Sequence, residues 1–248
     1  MRVRFAIVGC GKITERLALP QLAGLPGAEV AALVDRNAGA AERMAARFGI
    51  DRRRIWTDWR RCLRQADVDA VAVNLPNALH AEVALAALAA KKHVIVEKPM
   101  AVTLAEADAM IRAARVHGRF LMVEQTQRFD PAHEAAYRLL RSGRLGRITQ
   151  VRGRIAHAGP EYWSGRARSW LVDRRHSGGG VLMDIGAHIV DLLRWLSGKR
   201  VRRLCCQTAT VAKRVAVEDN AAVLMEFTDG TIGRSEERSC RERVCQYV

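Results

Sequence analysis

VRFAIVGCGKIT, residues 3–14, is the stretch that decides the fold. Val3 to Val8 is apolar except for Arg4, the composition of a buried strand. It passes without a linker into Gly9-Cys10-Gly11 and then into a helix reaching about Ala23. Two glycines at such a turn let backbone amides approach a pyrophosphate at a helix N-terminus, where the dipole favours an anion. The third position of the GxGxxG pattern is Thr14. The glycine it replaces serves helix-to-strand packing, so the loop alone is a weak sign of nucleotide binding.

The residues downstream strengthen it. Glu29 to Val34 is a second apolar strand. It ends in Asp35, 21 positions beyond Thr14, near the spacing of an acid that accepts hydrogen bonds from an adenosine ribose. A carboxylate there repels a 2′-phosphate and favours NAD, while the adjacent Arg36 leaves NADP open; the competing reading of Asp35 is an ordinary strand-end turn residue. Helix Ala38 to Phe48, strand and turn Ile55 to Asp58, helix Trp59 to Gln65 and strand Val68 to Asn74 follow. Next come a helix from about Leu79 to Ala90, strand Val94 to Val96, helix Thr103 to His117 with a Thr103/Glu106 capping box, and strand Phe120 to Gln125. This alternation predicts a parallel, doubly wound sheet with ligands at the carboxyl ends of its strands. Glu97-Lys98-Pro99 stands at one such end. A cis Lys-Pro bond would aim the ammonium, and an ion pair between Glu97 and Lys98 is the alternative.

The second half reads differently. After helix Pro131 to Ser142, Arg147 to His157 alternates apolar and polar residues, as do Val201 to Val211 and Ala221 to Phe227, and Asp229-Gly230 is a hairpin signal. These predict an antiparallel α+β domain. Ala158 to Gly180 is irregular and rich in Gly, Arg and Trp, a length of loop that is usually functional. Between them GGGVLMDIGAHIVDLLRWLSG, residues 178–198, predicts a largely buried helix whose Asp184, His188 and Asp191 fall at i, i+4 and i+7 on one face. Buried without partners, such groups cost several kcal/mol, roughly, so the stripe lines a site or forms a satisfied internal network.

Composition sets the frame. A chain of 248 residues with 49% hydrophobic content can build one large or two ordinary cores. Net charge is +15, and only six of the 41 basic residues are lysine. The basic balance suits acidic partners such as nucleotides or sugar acids, but no Arg-rich run interleaved with aromatics suggests nucleic acid. Six cysteines without paired spacing read as reduced thiols rather than a metal site, and no apolar run is long enough for a signal peptide or membrane span. The expectation is a cytoplasmic protein.

Taken together, GCGKIT at Gly9, LPNALHAEVALAALAAKKHVIVEKPMA from Leu75 to Ala101, RFDP at Arg128 and the 178–198 helix resemble the glucose-fructose oxidoreductase and inositol dehydrogenase family, Gfo/Idh/MocA, over residues 1 to about 230. The resemblance implies a Rossmann NAD(P)-binding domain over 1–123. Over 124–248 it implies a substrate-binding domain with an open, mainly antiparallel sheet through which chains form homo-oligomers. It implies hydride transfer between NAD, or NADP, and a secondary alcohol of a sugar, inositol or related polyol. Lys98, Asp184 and His188 match the family's catalytic positions. An imidazole of intrinsic pKa about 6.5 suits removal of the hydroxyl proton, which assigns His188 as general base. Lys98 would stabilise the developing negative charge on that oxygen, Asp184 would orient the imidazole or hold a neighbouring hydroxyl, and the Lys98 and His188 roles can be exchanged. The implied cofactor contacts are Gly9, Gly11, Lys12, Ile13, Asp35, Arg36, Pro76, Asn77, His80 and Glu97.

Two alternatives stay open: a redox-neutral, NAD-dependent glycosidase of the same family, and a catalytically silent cofactor-binding regulator or fragment. The family's helix-ending glycine is Lys91 here, which predicts a slightly shifted turn. Family members continue with further strands, whereas Ser235 to Val248 (SEERSCRERVCQYV) loses the strand alternation and reads like a shifted frame or a truncation. Arg166, Arg168, Arg174 and Arg175 suggest an acidic or nucleotide sugar, or are solvated loop charges.

Overall fold

The computed structural model describes residues 2–160 and 169–239, and these divide into two compact units, Met1–Glu124 and Gln125–Val248.

The first unit alternates strand and helix throughout. Its strands are β1 (Val3–Val8), β2 (Ala28–Val34), β3 (Ile55–Trp56), β4 (Ala70–Val73), β5 (His93–Glu97) and β6 (Leu121–Glu124). All are parallel, in the order β3-β2-β1-β4-β5-β6. The order reverses direction between β1 and β4, which opens a crevice beside their carboxyl ends. Helices α1 (Leu19–Ala23, preceded by a π turn Thr14–Ala18), α2 (Ala38–Phe48), α3 (Trp59–Gln65), α4 (His80–Ala89) and α5 (Leu104–Val116) are the crossovers. Strands covered on both faces need apolar residues at every position. Thus Ala6 and Val8 join the core with α4 and α5, and the intervening Ile7 joins the core with α1 and α2. Thr103 and Glu106 form the capping box of α5.

Lys91 does not shift its turn. It adopts the left-handed conformation itself (φ 58°), with its amide on Leu88 O and that of Lys92 on Ala87 O, so α4 ends as a glycine would end it.

The second unit contains α6 (Pro131–Arg141), β7 (Gln150–His157), the short α7 (Arg174–Ser177), α8 (Ala187–Ser197, preceded by a π turn Leu182–Gly186), β8 (Val201–Ala209), β9 (Asn220–Phe227) and β10 (Ile232–Ser239). The sheet order is β7-β10-β9-β8, antiparallel except for the β7–β10 pair. The β9–β10 turn holds Gly230 at φ 84°. α8 packs on this sheet through Ile189 and Leu193 against Val223, Met225 and Phe227.

Over Ser235 to Ser239 the expected loss of strand alternation is not found. Ser235 to Ser239 keep the period of a strand, with Ser235, Glu237 and Ser239 buried. The inward positions carry polar side chains, so an alternation sought in hydrophobicity is invisible. Arg166 and Arg168 lie outside the described residues, as do residues 240–248.

Candidate active site

The phosphate-loop candidate is fixed by a network reaching 60 residues along the chain. Gly9 has φ 103°, and a Cβ there would stand 2.2 Å from Asn74 O, so the loop passes directly against the end of β4. Thr14, fully buried, donates through Oγ1 to Gly9 O at 2.5 Å and accepts from Asn74 Nδ2 at 2.9 Å. The threonine that weakens the glycine pattern therefore clasps loop to helix, replacing close packing by two hydrogen bonds. Sequence offers no local sign of this, since the partner is on another strand.

Asp35, at the end of β2, accepts from Cys10 N at 2.9 Å and from Asn37 N at 2.8 Å. Its carboxylate is thus pinned beside the glycine loop. Arg36, Lys12 and Ile13 are exposed. Burial, with the Asp35 charge, pushes the Cys10 thiol up to about 12.

Asn77 and Glu97 are buried at the ends of β4 and β5, while Pro76 and Lys98 are half-buried, and Lys98-Pro99 is cis. His80, among the expected cofactor contacts, is closed off from solvent. It is 0% exposed, with Nδ1 2.8 Å from Pro99 O and Nε2 2.8 Å from Leu75 O.

In the second unit the candidate helix begins at a close backbone crossing. A Cβ on Gly180 would stand 1.9 Å from Glu218 O; Val181 N donates to that oxygen at 2.9 Å, and Gly180 N to Glu218 Oε1 at 2.7 Å. Glu218 thus anchors the helix start, a role its place in VEDN did not announce. Asp219, beside it, accepts from Val211, Ala212 and Lys213 amides and holds the β8–β9 loop. A small cavity lined by His157, Leu171, Lys213, Glu218 and Asp184 opens here.

The stripe of three acid and imidazole groups divides. Asp191 receives two bonds from Arg128, that from Nε at 2.7 Å, and belongs to packing. The RFDP motif is explained by it: Arg128 clasps α8 while Asp130 caps α6 by accepting from Ala132 N at 2.9 Å, and Tyr137 stacks on Trp195 at 4.2 Å. Asp184 and His188 are half-buried on the π turn and the first turn of α8. A π turn beside candidate site residues re-aims them relative to an α-helical face.

Comparison with known proteins agrees with this architecture. Residues 3–125 match the oxidoreductase family with an NAD-binding Rossmann fold, and 133–237 match the GFO/IDH/MocA C-terminal domain. The chain is 31% identical to 1,5-anhydro-D-fructose reductase of Ensifer adhaerens over 93% of its own length and 68% of the reductase. Among solved structures it is similar to the aldose-aldose oxidoreductase of Caulobacter crescentus (TM-score 0.87, 30% identity, 96% of this chain and 71% of that one). It is also similar to the WlbA dehydrogenase of Bordetella pertussis, solved with NADH and UDP-GlcNAcA (TM-score 0.86, 27% identity, 100% of this chain and 69% of that one). By both of its units, the chain belongs to the Gfo/Idh/MocA oxidoreductase family.

Proposed function

We propose that the chain is an NAD-dependent oxidoreductase acting on a secondary alcohol of a sugar, inositol or related polyol. The observation that carries this is the convergence, at the carboxyl ends of adjacent strands in the first unit, of the Gly9–Gly11 loop, the pinned Asp35, Asn77 and Lys98. That arrangement would hold a pyrophosphate at the glycine loop and a ribose at Asp35, and the Asp35 carboxylate would oppose a 2′-phosphate. An NAD held by these residues would supply the hydride acceptor. His188 would take the hydroxyl proton as the carbinol carbon gives up its hydride, leaving a carbonyl. Lys98 would donate to the oxygen whose charge grows, and Asp184 would orient the imidazole or a neighbouring hydroxyl.

The test is NADH absorbance with a panel of neutral polyols, aldoses and uronates, for wild type, Lys98→Ala and His188→Ala. A substrate that wild type oxidises, with each variant at least about a hundredfold slower, is expected. Activity surviving both substitutions defeats the assignment. Turnover that cleaves a glycoside without net NADH would replace it by the redox-neutral reading. Association through the second sheet belongs to the same proposal, since Leu204 and Leu224 stand 62% and 54% exposed on it; sedimentation reads the assembly.

A further inference from the structure

His80 is a buried imidazole that the proposed chemistry does not use, and it stands between two pieces of the candidate site. It opens α4, is wholly buried, and places one ring nitrogen 2.8 Å from Leu75 O and the other 2.8 Å from Pro99 O. Leu75 leads directly into Pro76-Asn77 after β4, and Pro99 follows Lys98 after β5. The β4–β5 ladder ends at the Val73–Val96 pair. Beyond it the ring spans from one loop to the other.

We infer that His80 is a positioning residue: seated between the Leu75 and Pro99 carbonyls, it hydrogen-bonds one and packs against the other, and so fixes Asn77 and Lys98 relative to each other. What Asn77 and Lys98 then do rests on the oxidoreductase reading; the tie does not. A neutral imidazole has one N–H and one lone pair. Two carbonyl acceptors favour the doubly protonated ring, whereas burial and then the Lys98 charge favour the neutral one. The neutral ring donates to one carbonyl at a time, yet both loops remain packed on it. Phenylalanine would fill the same space with no donor, and glutamine would keep a donor without the ring, so the pair separates bonding from filling.

The experiment compares wild type, His80→Phe and His80→Gln as intact chains. It reads three quantities: NAD affinity by calorimetry, the rate of Lys98 acylation by an N-hydroxysuccinimide ester followed by mass spectrometry, and kcat and KM on the best substrate of the panel above. With Lys98 untied by the order of 1 Å, kcat falls at least about tenfold, and Lys98 acylates at least about threefold faster. NAD affinity falls less than kcat does, because the glycine loop and Asp35 are untouched and Asn77 alone among the cofactor contacts loses its tie. A folded Phe variant that keeps both kcat and Lys98 acylation at wild-type values overturns the tie. Should Phe fail to fold, Gln decides by the same acylation rate. In wild type, a His80 ring N–H that exchanges freely with solvent, read by NMR, also overturns it, whereas a slowly exchanging one is expected. A wild type that binds no NAD defeats the oxidoreductase reading instead, and the acylation of Lys98 still judges the tie.

Discussion

Gly9 and Gly11 share a loop but are glycines for different reasons, and alanine at each separates them. At Gly9 the backbone already sits at φ 103°, and a Cβ would lie 2.2 Å from Asn74 O and 2.8 Å from Asn74 C. The left-handed side of the map costs an alanine about 1–2 kcal/mol. Pushing backbone off backbone costs a further ~1–3 kcal/mol. Relief would require moving the loop off Val34 O, to which Gly9 N donates at 2.8 Å, or moving the end of β4. Gly9→Ala should therefore lose roughly 2–5 kcal/mol of first-unit stability on these two costs. At Gly11 a Cβ meets nothing within 4 Å and φ is not left-handed. Gly11→Ala should leave stability unchanged or raise it by up to about 1 kcal/mol. Its Cβ instead occupies the space through which a pyrophosphate approaches the backbone, so NAD affinity should fall at least about tenfold, ~1.4 kcal/mol. Urea melts followed in the first unit, with calorimetric NAD titration, read both quantities. A Gly9→Ala chain as stable as wild type, or a Gly11→Ala chain that binds NAD undiminished, refutes the reasoning for that position.

Lys91→Gly should stabilise the first unit by about 0.5–1 kcal/mol, because the left-handed cost to lysine exceeds the chain entropy that glycine adds; a thermal melt that falls contradicts this. Glu237 is 1% exposed among Ser235 and Ser239, and burial pushes its carboxyl above the usual range, against a smaller pull from Ser235. Its folded form thus resists ionisation: second-unit stability is full below about pH 4.5 and is lost as pH rises through the raised value, so Glu237→Gln should flatten that slope and add about 1–3 kcal/mol at pH 7, as urea melts across pH would show. Asp191→Ala should cost the second unit about 1–2 kcal/mol, since it frees Arg128 from a pair that is 14% exposed on the acid side; an unchanged melt would show that the clasp contributes nothing.

Much of the first unit is legible because a parallel sheet writes itself twice. Ile7 and Val8 must both be apolar to face two helical layers, and the turns between them carry Gly, Asp or Pro. The Thr103/Glu106 capping box and the Asp229-Gly230 turn are equally local, and the structure contains both. What stayed hidden is long-range or polar. Thr14 looked like a defect because its partner Asn74 lies 60 residues away. His80 sat inside a recognised motif, yet only the fold shows its ring spent on two carbonyls. β10 escaped because Ser235, Glu237 and Ser239 put polar groups where a strand ordinarily buries apolar ones. The even stripe of Asp184, His188 and Asp191 assumed α-helical pitch, and the π turn at Leu182–Gly186 and the Arg128 clasp divide it.

The most direct test is NAD binding to the 248-residue chain by calorimetry, with NADP and Asp35→Ala alongside. One NAD per chain, bound more tightly than NADP and weakened when the carboxylate pinned beside Cys10 is removed, is the predicted result. A folded chain that binds neither nucleotide, or binds both with no change in Asp35→Ala, would contradict it.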